Sequence, residues 1–292
     1  MNDLSRIDAK TRLLAFIASP SEHSVSPIMH NAALRKLGLN YAYLAFNVGH
    51  KELKDAITGF RALNVRGFSV SMPNKIEIIQ YLDELSSEAK FIGAVNTVVN
   101  DNGKLIGYNT DGIGYMRSLK EEGVDVVGKK MTLLGAGGAA TAIAIQAALD
   151  GVSEIAIFNR KDEFFENAKE IAKIINEKME NTNCKAKVYE LENSKQLQEE
   201  IASSDILTNA TDIGMKPYED QSLIPDPSWL QSNLVVSDIV YMPRTTKLMK
   251  QAISAGCRNY NGLGMVMYQG AIAFELWTGH KMPVEYVKSQ IF

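Results

Sequence analysis

Apolar runs of strand length alternate with amphipathic stretches over most of the chain. The first run covers residues 13–18, and the pair Ser26-Pro27 then carries the serine and first-turn proline that mark a helix start. The same patterns predict a second strand over 41–48 and an amphipathic helix over 51–63. The chain therefore begins with the order β-α-β-α.

A hairpin signal interrupts this alternation. The pair Asn102-Gly103 favours the left-handed backbone that a two-residue β-turn requires. Before it, an apolar run ends at Pro73, because proline has no N–H to donate to a sheet. Strands are predicted over 68–71, 94–99 and 105–109, with a helical stretch over 76–82.

The alternation of strands and helices resumes at residue 131. Repeated βα units predict an α/β fold with two domains, each built on a doubly wound parallel sheet. We expect an N-terminal domain over 1–115, a C-terminal domain over 116–264, and a helical segment, 265–292, that can return to the first domain. The predicted strands are 131–134, 155–158, 186–189, 206–209 and 234–239, and the predicted helices are 139–149 and 163–178.

The composition is that of an ordinary globular chain. Its 292 residues are 46% hydrophobic and 22% charged, with a net charge of −3. Lysine and arginine form no cluster interleaved with aromatic residues, so we expect small-molecule partners rather than nucleic acid. The sequence leaves the oligomeric state open, and a homodimer is one option.

No stretch predicts membrane insertion, export or a metal site. The run 13–18 is too short for a signal peptide or a membrane span, and the stretch 133–149 is interrupted by glycine and polar residues. Cys184 and Cys257 lack CxxC or histidine spacing. We therefore expect a cytoplasmic protein that has neither a disulfide framework nor a metal.

A glycine-rich turn follows the strand at 131–134. Glycine at the first position allows a tight turn, glycine at the third lets the backbone approach a pyrophosphate, and Ala140 keeps the helix close to the sheet. Because the motif stands between an apolar strand and a small-residue helix, we interpret it as a dinucleotide-binding turn. Its residues are Gly135, Ala136, Gly137, Gly138 and Ala139.

The next strand ends in the turn Asn159-Arg160-Lys161-Asp162, where such folds contact the adenosine ribose. Asp162 can accept a hydrogen bond from the 2′-hydroxyl of NAD. Arg160 and Lys161 can pair with the 2′-phosphate of NADP, and Arg160 can also stack on adenine. Lys161 can also be a solvated turn residue, and the signals from this turn conflict as to the cofactor.

Lys75 lies just beyond one predicted strand and Asp111 just beyond another. If the fold brings these strand ends together, the two side chains form an acid/base pair that can act on a hydroxyl. A lysine base needs burial to lower its pKa, whereas a nearby carboxylate stabilises the ammonium form. Both orders of proton transfer therefore stay open, as do plain structural roles for each residue.

Five motifs occur in an order that resembles the shikimate dehydrogenase family. Residues 159–165 and the strand Ser69-Val70-Ser71 make the chain most similar to the quinate/shikimate dehydrogenase branch. The match extends from about residue 12 to residue 288. The motifs are Ser24-Val25-Ser26-Pro27, Pro73-Asn74-Lys75, Ala94-Val95-Asn96-Thr97, Gly107-Tyr108-Asn109-Thr110-Asp111-Gly112 and Gly135-Ala136-Gly137-Gly138-Ala139.

The resemblance implies a reversible, NAD(P)-linked oxidation of the C3 hydroxyl of shikimate or quinate, in chorismate and aromatic amino acid biosynthesis or in quinate use. It implies a cleft between a substrate domain and a Rossmann domain, with Lys75 and Asp111 catalytic. Ser24 and Ser26 would hold the substrate carboxylate. The other implied substrate contacts are Tyr41, Ser71, Asn96, Thr110 and Gln269, and the residues implied on the nicotinamide side are Thr211, Met215, Ile239, Tyr241 and Gly262.

Two departures from the common family pattern suggest a broader specificity. Ser69 and Ser71 stand where many members carry asparagine and threonine, which leaves room for the extra C1 hydroxyl of quinate. Asp162 points to NAD as the preferred cofactor, with NADP as the other option. The alternatives are a strictly shikimate-specific, NADP-dependent enzyme, a non-catalytic regulator that binds the same ligands, and a folate-linked dehydrogenase. His30 is interpreted as a structural histidine.

Overall fold

The chain folds into two compact units, of which only the second is continuous in sequence. The computed structural model describes residues 7–180 and 182–291. One unit runs to Thr110 and resumes at Met267, and the other is Asp111–Val266. The C-terminal segment therefore belongs structurally with the N-terminal half.

The described residues form strands and helices whose bounds are as follows. The strands are β1 Arg12–Ala18, β2 Tyr41–Asn47, β3 Gly67–Val70, β4 Glu84–Leu85, β5 Thr97–Asp101, β6 Lys104–Tyr108, β7 Lys130–Leu134, β8 Glu154–Asn159, β9 Lys185–Glu190, β10 Ile206–Asn209, β11 Val235–Asp238 and β12 Arg258–Tyr260. The helices are α1 Ser26–Leu37, α2 His50–Ala62, α3 Ser87–Ile92, α4 Asp111–Glu121, α5 Gly138–Leu149, α6 Phe165–Lys173, α7 Ser194–Ala202, α8 Lys247–Ser254, α9 Leu263–Thr278 and α10 Val284–Ile291.

The sheet of the first unit has the order β2-β1-β3-β5-β6-β4 and is mixed. β1 pairs in parallel with β2 and β3, but β5 pairs antiparallel with both β3 and β6. The predicted hairpin turn, in which Asn102 and Gly103 have φ angles of 52° and 93°, makes β5 and β6 antiparallel. A two-residue turn can join only antiparallel strands, so the prediction of a purely parallel first sheet is wrong.

The predicted helix over 76–82 is a single 3₁₀ turn, Glu77–Tyr81. It ends early because the next residues are drawn into the sheet, where the Asp83 backbone N–H donates to the Leu105 carbonyl over 2.9 Å. Leu82 is already extended. A local tertiary contact thus overrides the helical pattern.

The C-terminal segment completes one face of the first sheet. Trp277 of α9 is fully buried, and its indole Nε1 donates to the Val98 carbonyl over 2.9 Å. The Arg66 guanidinium donates to the Leu276 and Trp277 carbonyls at the end of α9. A cation at this position satisfies carbonyls that the helix itself leaves unpaired.

The second unit is a doubly wound α/β domain. Its six strands are all parallel and have the order β12-β11-β10-β7-β8-β9. The order reverses between β7 and β10, and the crevice outside the carboxyl ends of such strands is where ligands bind in open α/β sheets. The prediction of a Rossmann-type half is confirmed.

No feature of the described residues suggests a metal centre or a membrane span. Residues 7–180 and 182–291 contain no cluster of histidine, cysteine, aspartate and glutamate suited to a metal ion. Within the same residues, no helix is both long enough and apolar enough to cross a bilayer. Cys184 and Cys257 are both buried and reduced.

A partly buried ion cluster closes the amino-terminal edge of the second sheet. Lys130 Nζ lies 2.5 Å from Glu200 Oε2 and 3.2 Å from Glu154 Oε1. Burial tends to raise the pKa of Glu200, but hydrogen bonds from Lys130 and Tyr189 and the charge of Lys130 outweigh it, so that pKa is lowered. The Glu200 carboxylate therefore stabilises the fold when it is ionised.

This cluster makes stability depend on acid pH. Because the pKa of Glu200 is lower in the folded chain, its contribution is present above the ordinary value of 4.5 and is lost as the pH falls below it. We expect Glu200→Gln to lower the free energy of unfolding at pH 7 by about 1 to 2 kcal/mol. Urea unfolding at neutral and acid pH measures this difference.

The matched control is Glu199→Gln, because Glu199 lies on the same helix and its nearest cation, Lys195, is 3.9 Å away at the surface. That variant is expected to unfold like the wild type. A deficit in Glu200→Gln that stays constant as the pH falls through this range would contradict the assignment.

Candidate active site

A cavity of about 690 Å³ lies in the second unit, at the carboxyl ends of β7, β8, β10 and β11. It includes most of the residues that the sequence predicted for dinucleotide binding, whereas Lys161 and Gly262 are not in its wall. The lining residues are Gly135, Ala136, Gly137, Gly138, Ala139, Phe158, Asn159, Arg160, Asp162, Phe164, Leu191, Ala210, Thr211, Asp212, Ile213, Met215, Leu223, Ile239, Val240, Tyr241 and Met242.

The glycine-rich turn forms the floor of this cavity. Gly135 has a φ angle of 108°, and a Cβ there would lie 2.8 Å from the Thr211 side chain. A Cβ on Gly137 or Gly138 would meet no atom within 4 Å, so the turn faces open space. Since α5 begins at Gly138, its first backbone N–H groups are available to an anion. The turn fits a pyrophosphate.

An asparagine that the sequence did not single out holds this turn in place. Asn167 of α6 donates from Nδ2 to the Ala136 carbonyl and lies 3.3 Å from Thr141 Oγ1. Thr141 in turn donates to the Gly137 carbonyl over 3.0 Å. Two carbonyls of the turn are therefore fixed from outside the motif, which orients the peptide units between them.

Removing the Asn167 side chain should weaken the binding of NAD and of NADP to the same extent. We expect Asn167→Ala to raise KM for NAD and for NADP by about fivefold, because one hydrogen bond to the turn is lost in each case. Asn176→Ala is the control, since Asn176 bonds only the Ala186 backbone and its loss should affect stability without changing KM. A change in KM for one cofactor only would contradict this role.

The turn after β8 fixes one carboxylate at the cavity wall. Asp162 Oδ1 accepts hydrogen bonds from Asn159 Nδ2 and from the Phe164 backbone N–H, each over 2.9 Å. Lys161 is engaged elsewhere, with its Nζ 2.7 Å from Glu190 Oε1. Arg160 and Asp162 therefore face the cavity, and Lys161 does not.

An apolar wall beside this turn was not predicted from the sequence. Phe164 is 49% exposed although it is aromatic, and it lines the cavity with Leu191 and Leu223. Such a surface suits the face of a purine ring. These residues follow strand ends that are far apart in sequence, so only the fold shows that they meet.

A buried network supports the loops that carry Thr211 and Ile239. Asp238 accepts hydrogen bonds from Asn209 Nδ2 over 2.9 Å and from Thr246 Oγ1 over 2.6 Å. Thr211 Oγ1 donates to Asn209 Oδ1 over 2.7 Å. Burial raises the pKa of Asp238, although these hydrogen bonds oppose the rise. The network fixes the positions of Thr211 and Ile239 at the cavity wall.

Gly262, predicted on the nicotinamide side, has a steric role in the structure. A Cβ at this position would lie 1.8 Å from the Ile239 carbonyl oxygen. The backbone of the segment before α9 therefore passes directly against the chain after β11. This close approach accounts for the glycine without any contact to a ligand.

In the first unit, Tyr43 joins two of the serines that the sequence placed near the substrate. Its hydroxyl donates to Ser69 Oγ over 2.9 Å and also forms a hydrogen bond with Ser26. Burial raises the pKa of Tyr43, so the phenol stays protonated. Ser24 Oγ accepts the Ser26 backbone N–H over 3.2 Å, which adds Ser24 to the group.

Tyr41 is not brought together with this group. Its hydroxyl accepts a hydrogen bond from Arg12 over 3.1 Å. Arg12 and Tyr41 are the first paired residues of β1 and β2, at the amino ends of the strands. The tyrosine of β2 that contacts Ser26 is Tyr43, and the predicted substrate contact of Tyr41 stays a prediction.

His30 supports Tyr43 from behind. Its ring stacks on the Tyr43 ring with centroids 4.4 Å apart and lies 5.1 Å from the Trp277 ring. Burial lowers the pKa of His30 to about 3. The imidazole is therefore neutral in the folded chain and belongs to an aromatic cluster.

Asn96 and Thr110 meet at the sheet edge after β6. Asn96 Oδ1 accepts hydrogen bonds from the Thr110 backbone N–H, from Thr110 Oγ1 and from Thr97 Oγ1, over 2.9, 3.1 and 3.0 Å. The Asn96 carbonyl oxygen is thus saturated.

The segment that carries Lys75 is anchored on both sides. The Lys75 carbonyl accepts the Val95 backbone N–H over 2.8 Å. Asn74 is fully buried and donates to the Val48 carbonyl over 2.8 Å, while its own N–H donates to the Ser71 carbonyl over 2.9 Å. Ser71 and Lys75 therefore stand on one rigid turn after β3.

The two remaining predicted residues, Gln269 and Asp111, lie on helices. Gln269 lies on α9, in the first unit, and Asp111 is the first residue of α4, in the second. Asp111 is followed by Gly112, whose Cβ would lie 2.2 Å from the Ala142 carbonyl oxygen of α5. This close helix contact fixes where α4 starts and so where Asp111 stands in its unit.

Comparisons with known proteins give one consistent result. A model for the shikimate dehydrogenase substrate binding domain matches residues 16–98, and one for the shikimate 5′-dehydrogenase C-terminal domain matches residues 262–292. The chain is 58% identical to the shikimate dehydrogenase (NADP(+)) of Listeria innocua, over 98% of each protein.

Solved structures agree with this result. Shikimate 5-dehydrogenase from Listeria monocytogenes, in complex with shikimate and NAD, has a TM-score of 0.96 and 57% identity, covering 98% of each chain. Quinate dehydrogenase from Corynebacterium glutamicum, in complex with NAD, has a TM-score of 0.86 and 29% identity, covering 96% of this chain and 98% of its own.

Proposed function

This chain belongs to the shikimate dehydrogenase family, and we propose that it catalyses the reversible, NAD(P)-linked oxidation of the C3 hydroxyl of shikimate to 3-dehydroshikimate. The observation that carries the proposal is the cavity at the strand-order reversal, whose glycine floor is open where a pyrophosphate would bind. It occurs in a chain similar along almost its whole length to an enzyme solved with shikimate and NAD.

The substrate carboxylate is assigned to the serines at the start of α1. Ser24 and Ser26 supply short hydroxyl donors there, and the first N–H groups of the helix favour an anion. Tyr43 supports this assignment because it connects Ser26 to Ser69. Asn96, Gln269 and Thr110 are assigned as further polar groups near the ring.

Lys75 is assigned the proton transfer. When bound, the dinucleotide accepts a hydride from C3 of the acid. Lys75 takes the hydroxyl proton as the carbonyl forms and returns it in the reverse direction. Asp111 accepts a hydrogen bond from a neighbouring hydroxyl and orients the ring. The anchored turn at Asn74 supports this role, because it limits where the Lys75 side chain can reach.

Both cofactors are assigned to the cavity, with NADP as the main one. The sequence suggested a preference for NAD, but the relative at 58% identity is named for NADP(+), so the names do not support that preference. NAD is present in the structures of two relatives. Arg160 can pair with a 2′-phosphate and Asp162 with a 2′-hydroxyl, and both side chains line the cavity.

Quinate is proposed as a secondary substrate. Ser69 and Ser71 have small side chains, and Tyr43 holds Ser69 back by a hydrogen bond. This arrangement leaves room for one more hydroxyl on the ring. Because the relative at 58% identity is named for shikimate and the quinate dehydrogenase is 29% identical, we assign quinate the lower rate.

The enzyme would act in the cytoplasm, in chorismate and aromatic amino acid biosynthesis. A catalytically silent regulator is the other reading, and we disfavour it because Lys75 and Asp111 are both present. Dimerisation remains a prediction.

Initial rates with shikimate and quinate, each with NAD and with NADP, test the proposal. The expected order is shikimate with NADP fastest, NAD accepted, and quinate slower with either cofactor. A protein that binds the dinucleotides but oxidises neither acid would be a regulator, and the proposal would fail. Turnover of shikimate without any turnover of quinate would contradict only the proposal that quinate is a secondary substrate.

A further inference from the structure

The turn after β8 has a charged neighbour on the next strand. Asn159, the last residue of β8, is the register partner of Glu190, the last residue of β9. The Leu191 backbone N–H donates to the Asn159 carbonyl over 2.9 Å, which ties the two strand ends together. Leu191 lines the cavity, so Glu190 stands at the edge of the site that would hold the adenosine ribose.

Glu190 determines where Lys161 points. Its Oε1 accepts a hydrogen bond from Lys161 Nζ over 2.7 Å. Of the four turn residues 159–162, Lys161 alone is missing from the cavity wall, although it carries one of the two positive charges there. Glu190 therefore neutralises and withdraws a cation that could otherwise bind a 2′-phosphate.

The second carboxylate near the 2′ position, that of Asp162, is fixed in place by hydrogen bonds. Asp162 Oδ1 is held by Asn159 and by the Phe164 N–H, so it keeps its place at the cavity wall. A 2′-phosphate would thus meet Arg160 as its cation and Asp162 as a fixed anion. A 2′-hydroxyl would instead find an acceptor in Asp162.

We propose that Glu190 weakens the binding of NADP by holding Lys161 away from the 2′ position, which reduces the margin by which NADP is preferred to NAD. The inference rests on the proposed use of both dinucleotides. The Lys161 and Glu190 side chains are 72% and 45% exposed, so the pair is weak and a single substitution releases it. Glu190 acts through Lys161 and is a positioning residue.

The variant Glu190→Gln tests the proposal through the dissociation constants of NAD and NADP, measured by calorimetry on the full chain without substrate. Released Lys161 should tighten NADP binding by about fivefold, which is the size expected for one exposed charge pair. The dissociation constant of NAD should stay within about twofold of the wild-type value, because NAD has no 2′-phosphate with which Lys161 could pair. The gain should shrink at high salt.

Two further variants separate release of Lys161 from simple removal of negative charge. Glu192→Gln removes a nearby carboxylate that acts on Lys161 only through space, and NADP binding should change less than in Glu190→Gln. In the double variant Lys161→Gln/Glu190→Gln the gain should disappear. An equal gain in Glu192→Gln, or a gain that persists without Lys161, would overturn the proposal.

The outcomes also distinguish this inference from the function on which it rests. An unchanged ratio of NAD to NADP affinity in Glu190→Gln, with both dinucleotides still bound, would overturn the role of Glu190 and leave the dehydrogenase assignment standing. Binding of neither dinucleotide by the wild type would overturn both.

Discussion

Lys75→Met is expected to lower kcat for shikimate oxidation by about 10²- to 10⁴-fold, the range that a positioned proton-transfer group contributes. Methionine keeps the unbranched apolar stem of the side chain but lacks the terminal ammonium group, so it cannot exchange a proton. The anchors on either side, at Asn74 and at the Lys75 backbone, do not involve the ammonium group. The turn should therefore keep its shape, and the loss should appear in kcat.

Dinucleotide binding separates this effect from a folding defect. The cavity lies in the second unit, whereas Lys75 lies in the first, so the dissociation constant for NADP should stay within about twofold of the wild type. Lys54→Met, on the exposed face of α2, is the matched control and should retain full activity. A Lys75→Met enzyme with kcat within tenfold of the wild type would refute the assignment.

Gly112→Ala is expected to disrupt the second unit strongly although it adds a single methyl group. The new Cβ would overlap the Ala142 carbonyl of α5, at 2.2 Å, and a backbone carbonyl cannot rotate away as a side chain can. Moving α4 away from α5 should lower the free energy of unfolding by about 2 to 4 kcal/mol. Asp111 precedes Gly112, so a displacement of about 1 Å should also reduce kcat by about 100-fold.

Gly59→Ala is the matched control, since Gly59 lies inside α2 and a Cβ there would meet no atom within 4 Å. In that case alanine should raise the free energy of unfolding by about 0.5 to 1 kcal/mol, because glycine is a poor helix former. Thermal unfolding and initial rates measure both variants. Wild-type stability in Gly112→Ala would show that the two helices are not in this close contact.

The second unit was predictable because local signals and global topology agree there. Strand-length apolar runs alternate with helices, and the glycine turn between β7 and α5 marks the point where a dinucleotide can approach the backbone. In the first unit, Asn102-Gly103 correctly predicted a hairpin. The wrong inference was that the strands on either side of it still belong to a parallel sheet.

The roles of side chains that contact residues distant in sequence were not predictable. Tyr41 and Tyr43 share one face of β2, and sequence alone gave no reason to prefer either one. Their roles differ because the Tyr43 hydroxyl reaches Ser69 on β3, whereas the Tyr41 hydroxyl is bound by Arg12 at the start of β1. That difference comes from register and helix placement.

The supporting groups around the cavity were missed for the same reason. Asn167 reaches the glycine turn from α6, and Glu190 reaches the ribose turn from β9. Read on its own, the turn after β8 gave conflicting cofactor signals, because the partner that occupies Lys161 lies 29 residues along the chain. Short elements such as β4 and α3 lack a long enough pattern to stand out.

Under the proposed function, a hydride passes from C3 of shikimate to the dinucleotide. The most direct test is to supply the wild-type enzyme with shikimate that carries deuterium at C3, together with NADP, and to examine both products by mass spectrometry. We predict that the reduced dinucleotide carries the deuterium and that the acid becomes a 3-ketone. Absence of deuterium from the reduced dinucleotide, or no reduction although NADP binds, would contradict the account.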